Sequence, residues 1–241
     1  MKAIRIYKFI ISCCALISLN ANAQTTEKTN DTIKITYPDI YGLRIGTDLY
    51  TASKNLWDKG FNGFEVTADY RINKNWYAAA EVGFVDRTKQ EDRLNFTTTG
   101  SYLKIGVDRN IYDNWLNMNN MIFIGARYGL SLHEQRLNSF ELITQSDYFN
   151  NQQVNTSITE SGLTAHWLEL MIGHKVEISK NLFLGMTLRL HALVYQQQPE
   201  AFENLYIPGF GQKYSGNIGA SFNYNISYLI PFSKKDKKIS F

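Results

Sequence analysis

The chain has 241 residues, of which 44% are hydrophobic, 14% aromatic and 20% charged, with a formal net charge of +3. That composition suffices for one large all-β domain or two small ones, and it excludes disorder as the main state. Tyr (15), Phe (14) and Gly (16) are plentiful while Pro (4) and Cys (2) are scarce, which excludes collagen-like, proline-rich and disulfide-stabilised classes.

Residues 1–23 have the pattern of a secretory signal peptide. Basic residues precede an apolar stretch, Phe9–Leu19, and Ala21-Asn22-Ala23 forms a cleavage site. The stretch of about 11 residues is too short to span a bilayer as a helix. Ile10-Ile11-Ser12-Cys13 offers an alternative, a lipoprotein cleavage box, but the apolar run continues beyond Cys13. We therefore predict export and removal of residues 1–23.

Removal of Lys2, Arg5 and Lys8 with this segment takes the 25 basic residues to 22, equal to the 22 acidic residues. A neutral mature chain has no electrostatic footprint for nucleic acid, so we expect no nucleic-acid partner. Cys13 and Cys14 leave as well, so the mature chain has no disulfide and no thiolate metal site.

A polar, threonine-rich stretch, residues 24–40, follows and predicts an extended leader on the periplasmic side. Beyond it, alternation of apolar with small or polar residues predicts strands. Eight segments have this pattern: Tyr41–Tyr50, Gly63–Ile72, Trp76–Val85, Ser101–Arg109, Met121–Leu132, Ala165–Ile178, Leu182–Tyr195 and Gly216–Phe232. No helical period competes with this pattern.

In each segment one set of alternate residues is apolar and the other carries the charges. The charged positions are Arg44, Asp48, Glu65, Asp69, Arg71, Glu81, Lys104, Asp108, Arg127, Glu169, Lys175 and Arg189, six of each sign. Such strands fit a soluble barrel or sandwich with an apolar interior, or a membrane barrel with an apolar exterior.

The connections favour the membrane barrel. They alternate long and short, from the loop Thr51–Phe61 and the turn Asn73–Asn75 to the loops of residues 86–100, 133–164 and 196–215. Short periplasmic turns and long outer loops are typical of outer-membrane barrels. Aromatic residues gather where girdles are expected: Tyr41, Trp76, Tyr77, Tyr112, Trp115 and Phe232 at one end, and Tyr50, Trp57, Phe61, Trp167, Tyr195 and Tyr214 at the other.

From Tyr41 to Phe232 the chain resembles the small eight-stranded outer-membrane barrels of the OmpA and OmpX type, by pattern rather than by a diagnostic motif. We predict an all-β fold, an eight-stranded antiparallel up-and-down transmembrane β-barrel over residues 41–232, in the cell outer membrane and surrounded by its lipid. The last strand, Gly219–Phe232, is similar to the signal that the barrel assembly machinery reads in such proteins. A basic tail, residues 233–241, follows it.

An eight-stranded barrel is filled by its own side chains, so a wide pore is not expected. Inward charges of both signs predict a paired network, because an unpaired buried charge is costly. If the turn Ser179–Asn181 centres a hairpin, Glu169 lies opposite His191 and diagonal to Arg189. We predict that these three side chains touch, and His191 therefore joins the twelve charged positions of the predicted lumen network.

Some eight-stranded barrels modify outer-leaflet lipid with His, Ser and an acidic residue near the outer rim. Ser131, His133, Glu134 and His166 lie at that level, but His166 is on the opposite face from Ser131 and His133, and no family motif matches. The four histidines lack metal-ligand spacing, and no phosphate-binding glycine loop occurs. We therefore predict no enzyme activity, no metal and no cofactor, and keep lipid modification as the alternative.

Recognition by loops remains open, because binding residues often lie on loops held by a rigid scaffold. Residues 133–164 are rich in Asn, Gln, Ser and Thr with interspersed Phe140, Tyr148 and Phe149. An envelope protein partner could contact this loop or the tail, residues 233–241. The predicted function is a structural envelope component, or one that acts through its outer loops, and a soluble secreted barrel that holds a ligand is a third interpretation.

Overall fold

A computed structural model describes residues 39–91, 93–112, 119–142, 152–200, 202–212 and 216–235. The predicted signal peptide, nearly all of the leader and most of the basic tail lie outside these residues. The described chain belongs to the compact unit formed by residues 36–241. In the described part of the chain no helix has the length and apolar character needed to cross a membrane.

Eight antiparallel strands close into a barrel in which each strand pairs with its neighbours in sequence and β1 pairs with β8. The elements are β1 (Asp39–Asp48), α1 (Leu49–Trp57), β2 (Phe61–Arg71), β3 (Trp76–Gln90), β4 (Leu94–Asn110), β5 (Met121–Leu142), β6 (Gln152–Ser179), β7 (Leu182–Gln196) and β8 (Ile218–Lys235). The predicted all-β fold with eight antiparallel up-and-down strands is confirmed. Both described chain ends and the short turns lie at one end, which we call the turn end, and the opposite end is the loop end.

Outward positions carry the apolar residues, as the alternation predicts. Side chains exposed by between 40% and 65% form a belt around the barrel: Ile45, Phe64, Val82, Leu103, Ile105, Ile124, Leu168, Leu170, Ile172, Leu188, Leu190 and Phe222. Side chains at the inward positions of the same strands are buried, as the alternation of buried and exposed residues along β5 and β7 shows. The barrel is therefore apolar outside and largely polar inside.

Strands β3 to β6 extend well beyond their predicted segments. The long predicted loops of residues 86–100 and 133–164 are largely strand, because β3 and β4 pair as far as Gln90↔Asn95 and β5 and β6 as far as Leu142↔Gln152. These parts of β3–β6 form a sheet extension that rises beyond the last β6–β7 pair, Ala165↔Gln196. At the turn end Asp39 pairs with Lys235, so the barrel also takes in residues assigned to leader and tail.

A helix replaces the predicted start of the first loop. Asp48, predicted as a lumen charge, ends β1 and accepts hydrogen bonds from the backbone N–H groups of Tyr50 and Thr51, both at 3.2 Å. A carboxylate at this position satisfies N–H groups that have no partner in the first helical turn. Helix α1 thus begins where the alternation of β1 stops, and it extends over the loop end of the barrel.

Candidate functional site

The interior of the barrel contains a belt of ten buried charged side chains, five of each sign and none more than 8% exposed. The acidic members are Glu65, Asp69, Glu81, Asp108 and Glu169, and the basic members are Arg44, Lys104, Arg127, Lys175 and Arg189. The belt is electrically balanced, which is the arrangement that a low-dielectric interior requires. We call it the charge belt.

Glu81 occupies the centre of the charge belt. One of its carboxylate oxygens lies 2.5 Å from Arg189 Nη1 and 3.3 Å from Lys104 Nζ, and the other lies 3.5 Å from Arg127 Nε. Arg127 in turn donates two parallel hydrogen bonds to Asp108, at 2.7 and 2.9 Å. Strands β3, β4, β5 and β7 are thus cross-linked through one carboxylate.

Glu169 lies opposite His191 in the β6–β7 register. Its carboxylate is 3.3 Å from Arg189 Nη1 and 3.8 Å from His191 Nδ1. It also accepts a 2.7 Å hydrogen bond from Trp167 Nε1. Glu169 therefore links the charge belt to the aromatic residues above it.

A second ionic group lies nearer the turn end. Asp69 bridges Arg44, at 2.8 Å, and Lys175, at 2.5 Å, while the Arg44 guanidinium lies 5.1 Å from each of the Tyr77 and Phe183 ring centroids. A cavity of about 20 Å³ separates this group from Glu81. That space admits about one water molecule, so the lumen is closed at this level.

Two predicted lumen residues lie apart from the charge belt. Asp48 caps α1, as described above, because it is the last residue of β1. Arg71 is at the turn end of β2, half-exposed, and donates to the backbone carbonyls of Asn73, Lys74 and Ile40. Its strand ends there, so its guanidinium reaches the turn rather than the interior.

The loop end is closed by part of the connection between β7 and β8, whose described residues 202–212 fold back into the barrel. Ile207 and Phe210 are 1% and 4% exposed and pack with Trp167, Phe61 and other apolar residues of the upper wall. The ring centroid of Phe210 is 6.1 Å from that of Trp167, at an interplanar angle of 77°. We call residues 202–212 the plug.

A tight turn forms the tip of the plug. The N–H of Phe210 donates to the carbonyl of Ile207 at 3.1 Å, with Pro208 and Gly209 between them and φ of 81° at Gly209. Pro followed by Gly with positive φ is typical of a type II turn. A side chain at Gly209 would overlap the Tyr102 ring, so glycine also permits the close approach of the plug to the wall.

The plug explains two wrong predictions. Phe61 and Trp167 were expected in the outer aromatic girdle, yet they point inward and are 7% and 0% exposed. Trp167 fits because Gly129 on β5 leaves the space that its indole ring fills. These two aromatic residues are apolar because they pack against the plug, not because they meet lipid. The sequence feature that indicates the plug is Ile207-Pro208-Gly209-Phe210, in which two apolar residues flank a Pro-Gly turn.

The candidate catalytic residues do not form a triad. Ser131 and His133 are buried in the lumen, with Ser131 Oγ 3.4 Å from His133 Nδ1, and His133 Nε2 is 3.4 Å from the side-chain nitrogen of Asn204 in the plug. Glu134 is on the outward face of β5. His166 also faces outward, where its Nδ1 pairs with the Tyr128 hydroxyl at 2.7 Å.

Across the described ranges, no group of three or more His, Cys, Asp or Glu side chains is arranged to hold a metal ion.

Outside the barrel interior, hydrogen bonding from Arg87 lowers the pKa of Asp58. Burial, followed by repulsion from Arg87, lowers the pKa of Lys54 on α1. Burial also raises the pKa of Tyr206 in the plug to about 12. Burial thus shifts the pKa of Lys54 and of Tyr206 at the loop end, whereas the pKa of Asp58 is lowered mainly by its contact with Arg87.

Residues 6–235 match the model of a family described as a domain of unknown function, DUF6048. No curated protein matches the chain in sequence. Three similar solved structures are Neisserial surface protein A (12% identity, TM-score 0.39, covering 79% of this chain and 96% of that one), the attachment invasion locus protein Ail of Yersinia pestis (9%, 0.39, 79% and 97%) and CarO2 of Acinetobacter baumannii (8%, 0.37, 81% and 99%).

Proposed function

The chain belongs to the DUF6048 family, and we propose that it is an integral outer-membrane barrel with a closed lumen that acts through its loop end. One observation carries this proposal: apolar side chains cover the outside of the barrel while ten charged side chains are buried inside it. A soluble barrel buries its apolar face and exposes its charged face. The opposite distribution is stable where lipid surrounds the wall.

The closed lumen argues against transport of large solutes. The charge belt fills the middle, Met121, Phe123 and Met171 form an apolar cluster towards the turn end, and the plug covers the lumen at the loop end. An interior packed at three levels provides a rigid scaffold. We therefore infer that the exposed surfaces at the loop end carry the function of the protein.

The sheet extension is the part of the loop end best suited to contact a partner. Along β6, residues 152–163 pair with β5 on one side only, so among the described residues their other edge is free. An extended segment of another protein can add to such an edge through backbone hydrogen bonds. We propose that an envelope or extracellular protein pairs here, rather than at the basic tail.

The candidate residues for lipid modification that the structure describes do not form a site at the lipid surface. Ser131 and His133 face the lumen behind the barrel wall, and the outward His166 pairs with Tyr128 rather than with a nucleophile. A base and its nucleophile must reach the lipid together. We therefore assign no catalytic role to these residues.

Cysteine labelling tests the orientation of the barrel. The predicted mature chain lacks cysteine, so Ser157→Cys in the sheet extension and the matched Ser179→Cys at the turn end each introduce one thiol at an exposed position. We expect a membrane-impermeant maleimide to label Ser157→Cys in intact cells and Ser179→Cys only after the outer membrane is permeabilised. Labelling of both in intact cells, or recovery of the protein without detergent, would contradict the proposal.

A charged residue in the apolar belt tests the lipid contact. Leu188 is 57% exposed and pairs with Ile172 midway along the wall. Leu188→Arg should reduce the free energy of folding into lipid by about 2–4 kcal/mol, the usual cost of an arginine at the bilayer midplane. Leu56→Arg on α1, where the leucine is 88% exposed, is the control and should have almost no effect. Equal effects of the two changes would show that the belt does not meet lipid.

A further inference from the structure

A cavity of about 220 Å³ lies at the loop end between α1, the plug and the upper wall of the barrel. Its lining includes the aromatic rings of Tyr50, Phe61, Tyr102, Tyr206 and Phe210, together with polar side chains of α1 and β8. It lies above the charge belt, so Glu65 and Lys104 form part of its floor. Nothing in the charge belt or the plug requires a space of this size.

A buried carboxylate oxygen at this cavity lacks a hydrogen-bond partner. Glu65 is 2% exposed, and its Oε2 atom accepts hydrogen bonds from the Tyr102 hydroxyl and Lys104 Nζ. Its Oε1 atom has no hydrogen-bond partner within the described ranges. Burying a carboxylate oxygen without a donor is costly, so Glu65 points to a donor supplied from outside the protein.

The opposite rim provides a donor. Lys54 Nζ lies 4.3 Å from the centroid of the Phe61 ring and forms no ion pair with any side chain that the structure describes. Arg87, which also lines the cavity, is held 2.8 Å from Asp58. The cavity thus offers a carboxylate oxygen without a hydrogen-bond donor at the floor and an ammonium group without an ion-pair partner at the rim.

This chemistry excludes most simple ligands. An anion would meet the Glu65 carboxylate, and a cation would meet Lys54 and Lys104. An apolar molecule would leave both Glu65 and Lys54 unpartnered. A neutral molecule with several hydroxyl groups can donate to Glu65, accept from Lys54 and place its C–H faces against the flanking aromatic rings.

The walls of the cavity are held in place before any ligand arrives. Asn223 on β8 donates to Asp48 at 2.9 Å, and Ser53 on α1 pairs with the Tyr224 hydroxyl at 2.8 Å, so α1 is fixed to the rim. Phe210 fixes the plug on the other side, in edge-to-face contact with the His191 ring. A preformed site binds without the cost of ordering its walls.

We propose that this loop-end cavity binds a neutral polyhydroxylated molecule of monosaccharide size. Glu65 accepts from one hydroxyl group, Lys54 donates to another, and the aromatic rings flank the sugar ring. This function is separate from recognition by the sheet extension, because none of the residues that line the cavity belongs to β6, the strand with the free edge.

Binding to the purified full chain in detergent tests the proposal. The probes are glucose, galactose, mannose and N-acetylglucosamine at millimolar concentration, with the zwitterion leucine as comparison, and saturation-transfer NMR is the readout. We expect at least one sugar to bind. Failure of all four sugars, or binding of leucine alone, would overturn the proposal.

Two variants assign the binding to this cavity. Glu65→Gln keeps the shape of the side chain but removes its charge, and Lys54→Met keeps the stem on Phe61 but removes the ammonium group. Each should weaken sugar binding about tenfold, the effect of one lost hydrogen bond to a charged group. Lys59→Met, an exposed lysine outside the cavity, is the control and should bind as the unchanged chain does. Because Lys54 lies on α1, its variant remains informative if Glu65→Gln fails to fold, and unchanged affinity in Lys54→Met would overturn the proposal.

Discussion

Replacement of Glu81 by alanine is expected to destabilise the folded barrel by about 3–5 kcal/mol. Its carboxylate meets Arg189, Lys104 and Arg127 within 3.5 Å, and Glu81 is 5% exposed. The change leaves three buried cations around a missing anion, and the loss of one partner from a buried ionic network costs more than the network itself contributes. Urea unfolding in detergent, followed by tryptophan fluorescence, measures the effect.

Two comparisons separate this effect from the loss of a side chain alone. Glu134→Ala removes an outward, half-exposed glutamate that forms no ion pair with another described residue, and we expect a change within about 0.5 kcal/mol. The double variant Glu81→Ala with Arg189→Ala should be more stable than the sum of the single effects, because it removes a charge of each sign. Additive effects would mean that Glu81 and Arg189 do not act as a pair.

The charge belt follows from a feature that the sequence makes visible. Where one face of a strand is apolar and the other polar, successive residues alternate between the two faces. Glu81 and Arg127 can therefore be assigned to the polar face from their spacing alone. Spacing does not say which charges meet. Glu81 lies on β3 and Arg189 on β7, and their contact depends on the diameter of the closed barrel.

The sheet extension could not be found in the same way. Residues such as Thr97, Thr98 and Thr99 on β4 face other polar residues of β5, for example in the Gln135–Thr98 hydrogen bond of 3.1 Å. Above the apolar belt both faces of the sheet are compatible with polar residues, so the alternation disappears. Strands there have the composition of loops, and only their pairing reveals them.

Helix α1 and the plug were missed for other reasons. A helix of nine residues gives too short a periodic signal to compete with the strands around it, and its clearest sign is the single capping residue Asp48. The plug depends on contacts between residues distant in sequence, such as Phe210 and Trp167. The Pro-Gly turn of the plug can be recognised from the sequence. The spacing of residues does not show that this turn packs inside the barrel.

Trp167→Ala should be nearly as damaging as the loss of Glu81, at about 3–5 kcal/mol. The indole is fully buried, donates to Glu169 at 2.7 Å and packs edge-to-face on Phe210. Alanine would leave a large cavity above Gly129 and would remove the hydrogen bond that the Glu169 carboxylate accepts from the indole. Both costs fall at the contact between the plug and the charge belt, so the plug should loosen as well.

The loosened plug gives this prediction a second measurement. In the Trp167→Ala protein, backbone amides such as Gly211 N–H, which donates to Ile207 at 2.7 Å, should exchange with solvent faster, whereas amides between β3 and β4 should not. Trp57→Ala removes an indole of the same size that is 65% exposed, and it should leave both stability and exchange unchanged. If Trp167→Ala lowered stability without faster exchange in the plug, Trp167 would be a packing residue of the wall alone, and closure of the loop end would rest on the other plug contacts.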